Sequence, residues 1–205
     1  MTRANTPVRE IDWPIRPLCC RYFLMAFETL SVEADESGVV YERPLQWAIG
    51  VLADGQHEVA GVWPGPMPCA PNWQEIFEDL RVRGVERIRF ASACDSTGLA
   101  TALDVAFPGA AVLPTGRQIG AAVAPSPRHR RTALATGAVM RRLRIHAGRA
   151  VMRHGCFSGP AEATAFVTDV LERGLQRSGR GAASLAAAPR ASLPRRPGAG
   201  AEALS

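Results

Sequence analysis

The apolar positions of this chain change period along its length, and each change marks an element. Residues 22–32 (YFLMAFETLSV) are almost continuously apolar, aromatic or β-branched, which predicts a buried strand. Residues 33–38 are acidic and read as a turn. Residues 45–52 (LQWAIGVL) predict a second strand, and Ala53-Asp54-Gly55 carries the Asp-Gly hairpin signature. Residues 57–63 (HEVAGVW) return as a third strand, so the front of the chain reads as an antiparallel meander. Four prolines within residues 64–71 then enforce a loop.

Beyond that loop the period lengthens. Asn72, with Glu75 three residues later, forms a capping-box pattern, and Trp73, Ile76, Phe77 and Leu80 follow at helical spacing. Gly84 closes this helix, residues 88–93 (IRFASA) predict a fourth strand, and residues 97–107 a second helix with Leu99, Leu103 and Phe107 in register. Residues 110–113 form a short fifth strand. The order βββαβαβ, in an α/β (α+β) domain with helices packed on a mixed sheet, outlines a ribonuclease-H-like core. Residues 130–153 and 160–177 favour helix, the second with Phe166, Val170 and Leu171 as its apolar stripe. Residues 178–205 collapse to Ala, Gly, Arg, Pro and Ser and are expected to be disordered. Four segments result: an arm (1–18), the core (19–123), an Arg-rich helical segment (124–177) and the tail.

Charge divides the same way. All 24 basic residues are arginine; 9 of them face 15 acids up to Thr115, and 15 face 4 acids beyond it. A GC-rich coding sequence accounts for the absence of lysine but not for this segregation, which points to a polyanionic partner for the back half. No stretch has the length or apolarity of a membrane span or a signal peptide, so a cytoplasmic protein with no membrane partner is expected. Cysteines at 19, 20, 69, 94 and 156 lack the pairing of a zinc site and are read as free thiols.

Candidate chemistry centres on two acids. Hydrolysis or transfer of phosphodiesters on such a sheet uses two hard cations held by carboxylates from the first strand, the end of the fourth and a later helix. Glu28 lies within the first strand and Asp95 just past the fourth, so both are candidate catalytic and metal ligands, with Mg2+ as the cofactor if the site is active. Each has a plainer alternative: Glu28 as a solvent-facing strand charge, Asp95 as a helix cap beside Ser96 and Thr97. Cys94 is a soft ligand ill suited to magnesium. For a third acid only Glu162, Asp169 and Glu172 precede the tail, and each reads as a solvated helical charge. Arg130, Arg131, Arg141, Arg142, Arg144, Arg149 and Arg153 are the candidate nucleic-acid contacts, because guanidinium groups pair bidentately with phosphate. His129, His146 and His154 read as part of that basic surface.

Across residues 16–115 the chain resembles the catalytic core of Mutator-type transposases of bacterial insertion sequences. The resemblance is carried by Arg16-Pro17-Leu18 with Tyr22; by Ala48-Ile49-Gly50-Val51, Asp54-Gly55, Glu58 and Gly61; by Trp73, Phe77, Leu80, Arg83-Gly84-Val85 and Arg89; and by Gly98-Leu99, Ala102 and Phe107-Pro108-Gly109. It implies DNA cleavage and strand transfer at insertion-element ends, with a homo-oligomer left open. The family's first catalytic Asp falls on Glu28 and its second on Cys94, with Asp95 one place late. Its Cys/His/Arg signature falls on Thr115, Gln118 and Ala121, and no length is available for its helical insertion, last catalytic Glu or N-terminal DNA-binding region. The resemblance therefore implies a truncated, catalytically impaired or inactive member. A non-enzymatic Arg-rich nucleic-acid-binding module is the alternative, and an expressed remnant with exposed apolar surface is a third.

Overall fold

The computed structural model describes residues 17–65, 72–113 and 127–187, with side chains in the last stretch from 131 to 178. It is a mixed α/β structure: a five-stranded mixed sheet with four helices among the described residues. Strands β1 (Arg21–Glu36), β2 (Val39–Val51) and β3 (His57–Pro64) lead to helix α1 (Trp73–Val82). Strand β4 (Arg87–Ala93), helix α2 (Leu99–Ala106) and strand β5 (Ala111–Val112) follow, then the long helices α3 (Pro127–His154) and α4 (Pro160–Ala187). Across the sheet the order is β3-β2-β1-β4-β5. The β1–β2 and β2–β3 pairs are antiparallel, and the β1–β4 and β4–β5 pairs are parallel.

Helices cover both faces, which is why β1 reads as an unbroken apolar run. On one face Met25 and Phe27 pack with Trp73, Ile76, Phe77 and Leu80 of α1 and Leu99 and Leu103 of α2. On the other, Ala26, Val32, Trp47 and Ile49 pack with Met140, Leu143 and Ala147 of α3 and Val167 and Leu171 of α4. The Asn72 side chain accepts from the Glu75 N–H at 3.4 Å, as the capping pattern predicts. Gly84 ends α1 with φ of 99°, a conformation that costs glycine nothing.

Two expectations are corrected. Residues 33–36 are strand, not turn. Val32 and Ala34 are buried while Ser31 and Glu33 are exposed, a period-two alternation that the density of acids conceals. The connection between α3 and α4 holds this extension: the Asp35 N–H donates to the Phe157 carbonyl and the Phe157 N–H to the Glu33 carbonyl, both at 2.8 Å. The reversal is a two-residue loop, Ser37-Gly38, with φ of 62° and 83°. Two positive values are what a tight hairpin of this hand requires, and β2 accordingly begins at Val39 rather than Leu45. The second correction concerns the tail: α4 runs on to Ala187, ten residues into the stretch expected to be disordered. Residues 188–205 lie outside the described residues, as do the arm to residue 16 and Cys69; the other four cysteines are free thiols.

Candidate active site and Arg-rich helix

Parallel pairing of β1 with β4 brings the first candidate acid to the end of the fourth strand. Phe27 is in register with Ala93, so the next residues along, Glu28 and Cys94, are neighbours. Glu28 shares the α3-side face of β1 with Ala26 and Val32, by the two-residue period of a strand. The Cys94 thiol donates to the Glu28 carboxylate at 3.1 Å. Burial, followed by this hydrogen bond and the carboxylate's charge, pushes the Cys94 thiol up to about 11, while Arg144 of α3 pulls the other way. Its folded-state value lies above the ordinary thiol value. The stabilisation is therefore complete below the ordinary thiol range and is lost as pH rises through about 11.

Chemical reactivity reports this contact directly. Thiolate is the alkylating species, and a shift from 9.0 to about 11 leaves about 100-fold less of it at pH 8. Alkylation of Cys94 by iodoacetamide, followed by peptide mass spectrometry, is expected to run at least ~10-fold slower than for an ordinary exposed thiol, and to accelerate in Glu28→Gln. Equal rates in the two proteins would show that the carboxylate does not hold the proton on sulfur.

Asp95 is turned to a different task. Its carboxylate accepts from the Thr97 N–H at 2.9 Å, and hydrogen bonds from Thr97 hold its carboxyl below the usual range. This is a turn-closing Asx contact ahead of α2, whose own N-cap is Gly98 in the left-handed region at φ 71°. The loop is further pinned by the Trp73 indole N–H, which donates to the Thr97 carbonyl at 2.8 Å. The candidate third acids have separate partners. The Ser158 N–H and hydroxyl donate to Glu162, Asp169 pairs with Arg173, and Glu172 lies along the edge groove beside β3. Among the described residues no three His, Cys, Asp or Glu side chains are arranged to hold a metal ion. One carboxylate hydrogen-bonded to a protonated thiol does not fit magnesium, which takes oxygen ligands in near-octahedral array.

The predicted phosphate contacts are displayed on α3. Arg131, Arg141, Arg142, Arg144, Arg149 and Arg153 are all exposed; Arg130 lies in the helix, with its side chain outside the described residues. Arg131, Arg142, Arg149 and Arg153 recur at spacings of 11, 7 and 4, which set them on one stripe. Sequence reasoning missed two features near this surface. His57 of β3 lies 3.3 Å from the Thr136 hydroxyl of α3, and its burial lowers the imidazole's basicity. Trp47, in register with Glu28 across β1–β2, is a fully buried indole whose N–H finds no acceptor among the described residues. No pattern of spacing announces either.

Residues that carry the family resemblance prove to be structural. A Cβ on Gly50 would stand 2.3 Å from the Tyr22 ring, so glycine makes room for a hydroxyl that donates to the Glu58 carboxylate. On Gly61 it would stand 2.4 Å from the Trp63 ring, whose N–H donates to Asp79 of α1 at 2.9 Å. Sequence comparison agrees with this distribution: a sequence model of the family described as "Transposase, Mutator family" matches residues 5–114. The chain belongs to the Mutator family of transposases. Its relatives include the transposase for insertion sequence element ISRM3 of Rhizobium meliloti and the "probable transposase for insertion sequence element ISRM3-like" of Sinorhizobium fredii. Each is 31% identical to it over 97 residues, 47% of this chain and 24% of the relative's own length. The family match covers the sheet and its first two helices, and the chain spans less than a quarter of either relative's length. No helix among the described residues is long and apolar enough to cross a membrane.

Proposed function

We propose that this Mutator-family chain is a transposase core of the ribonuclease-H-like type that keeps affinity for DNA but not metal-dependent phosphoryl transfer. The observation that carries the reading is the 3.1 Å contact between Cys94 and Glu28. The position beside the first-strand acid, where a second carboxylate would share a cation, is taken by a thiol that keeps its proton. Asp95, one residue on, serves the turn into α2. Losing one metal carboxylate removes charge stabilisation that the transferring phosphoryl group depends on. The exposed arginines of α3 supply the DNA affinity, through phosphate contacts that position a duplex without reading its sequence.

Two measurements test the two halves. Incubation with insertion-element terminal DNA and Mg2+ or Mn2+ is expected to give no nicking or strand transfer; cleavage abolished by Glu28→Ala or Asp95→Ala would overturn the proposal. Duplex affinity is expected to fall linearly on a log–log plot against salt. Arg131→Gln with Arg142→Gln should lower the slope by about 2, one for each lost phosphate contact. A slope unchanged by both substitutions would remove α3 from the interface.

A further inference from the structure

Between α3 and α4, apart from the Glu28–Cys94 pair, lies a crevice of about 320 Å3. Its floor is apolar, made by Ala150, Phe166 and Val170, and Arg153, Arg173 and Arg177 line it with His146 and His154. These residues fall at three- and four-residue intervals along facing stretches of two rigid helices, so their placement follows from the helical repeat rather than from loops. His146 reports the local charge. Its basicity is lowered by burial first and then by Arg177, Arg153, Arg173 and Arg149. Two carboxylates offset part of this charge: Asp169 pairs with Arg173, and Glu162 stands 4.0 Å from His154. Among the described residues neither Arg153 nor Arg177 has an ion-pair partner. Gathering like charges around a dent with an aromatic floor works against folding unless an anion offsets them.

The floor narrows the kind of anion. Phe166 is partly buried, and the His154 ring lies 4.7 Å from it at 58° while stacking on Phe157 at 4.1 Å. Aromatic rings beside arginines are how proteins hold unpaired bases, with stacking for the base and guanidinium groups for the backbone. The volume sits at the low end for a small-molecule site, about 300–1,000 Å3. We propose that this crevice binds one unpaired nucleotide, its base against Phe166 and His154 and its phosphate between Arg153 and Arg177. The inference rests on the DNA-binding reading only for the source of the ligand, since a splayed strand end and a free nucleotide present the same chemistry.

Fluorescence anisotropy on the full chain separates the outcomes. The probes are a 5′-phosphorylated oligothymidylate, a mixed-sequence duplex, thymidine 5′-monophosphate as competitor and inorganic phosphate as a second competitor. Arg177→Gln and Phe166→Leu, the latter keeping apolar volume but removing the ring, are each expected to weaken oligothymidylate binding by about 10-fold and duplex binding by less than ~2-fold. Circular dichroism melts confirm that both variants fold. Competition by the monophosphate at or below the oligonucleotide's own dissociation constant assigns the site to free nucleotides; weaker competition assigns it to strand ends. Inorganic phosphate competing as well as the monophosphate, or equal losses for single strand and duplex, would overturn the proposal. Loss of duplex affinity in Arg131→Gln/Arg142→Gln with oligothymidylate binding intact leaves both readings standing. No effect of that pair on the duplex, with the crevice variants still selective, sinks only the α3 reading.

Discussion

Phe77→Ala is expected to destabilise the chain by about 3–5 kcal/mol, a large share of the ordinary domain stability of about 5–15 kcal/mol and enough to unfold much of the population at the low end of that range. Phe77 is 1% exposed and sits where α1 meets both the sheet and α2. Its ring centroid lies 5.8 Å from that of Phe27 on β1, 6.0 Å from Trp73 and 5.7 Å from Phe107. Truncation removes the transfer free energy of a whole ring and leaves a cavity walled by the packed rings of Phe27, Trp73 and Phe107, which close in only partly. Urea denaturation followed by circular dichroism measures the loss, with Phe77→Leu as the milder control that keeps most of the volume. A loss under about 1 kcal/mol for Phe77→Ala would mean that α1 does not depend on this cluster.

Cys94→Asp is expected to raise the protein's affinity for divalent cations above that of the wild type. The exchange sets a carboxylate where the thiol donates to Glu28 at 3.1 Å. Without metal, two carboxylates at that separation do not both ionise readily, so one retains a proton and its value is raised. A carboxyl raised in the folded state contributes stability below its unfolded value and loses it as pH rises through the folded value. The metal-free variant is therefore less stable at neutral pH than at mildly acidic pH. A cation replaces that proton. If the site binds Mn2+ with an excess of about 100-fold over its dissociation constant, the folded state gains about 2.7 kcal/mol. For a chain of this length each kcal/mol raises the melting temperature by about 2–4 °C. Thermal melts with and without about 5 mM Mn2+ should thus separate Cys94→Asp from the wild type, and Glu28→Gln added to the variant should abolish the gain. A well-folded Cys94→Asp protein indifferent to Mn2+ would show that the pair lacks the geometry of a metal site.

Much of this is legible in the sequence. The strand at residues 57–63, the capped helix from Trp73 with its buried Trp73, Ile76, Phe77 and Leu80, the Gly84 stop and both long helices follow from periods and caps. Those are local signals, each set by a few consecutive residues. The misreadings have local causes as well. Glu33, Asp35 and Glu36 read as a turn because acids are scarce in strands, yet Val32 and Ala34 between them alternate into the core. Ser37-Gly38 is the two-residue loop that the run of acids before it conceals. The helical extent of residues 178–187 has no such cue in a run of Ala, Gly, Arg and Ser.

Glu28, Cys94 and Asp95 show where sequence stops. Periodicity set Glu28 within a strand and the other two at the end of another, and the resemblance aligned Glu28 and Cys94 with catalytic positions. Only the parallel pairing of β1 with β4, an association of residues 66 positions apart, decides that Glu28 meets Cys94 while Asp95 closes the turn into α2. The crevice between α3 and α4 is of the same kind: the arginines are visible in the chain, but their convergence on His146 depends on two helices packing side by side. The sequence alone determined which elements form, because helix periods, caps and strand alternation act between near neighbours. The tertiary structure decided which side chains share a proton, a charge or a cavity, because those energies fall off within a few ångströms and the chain order does not record such distances.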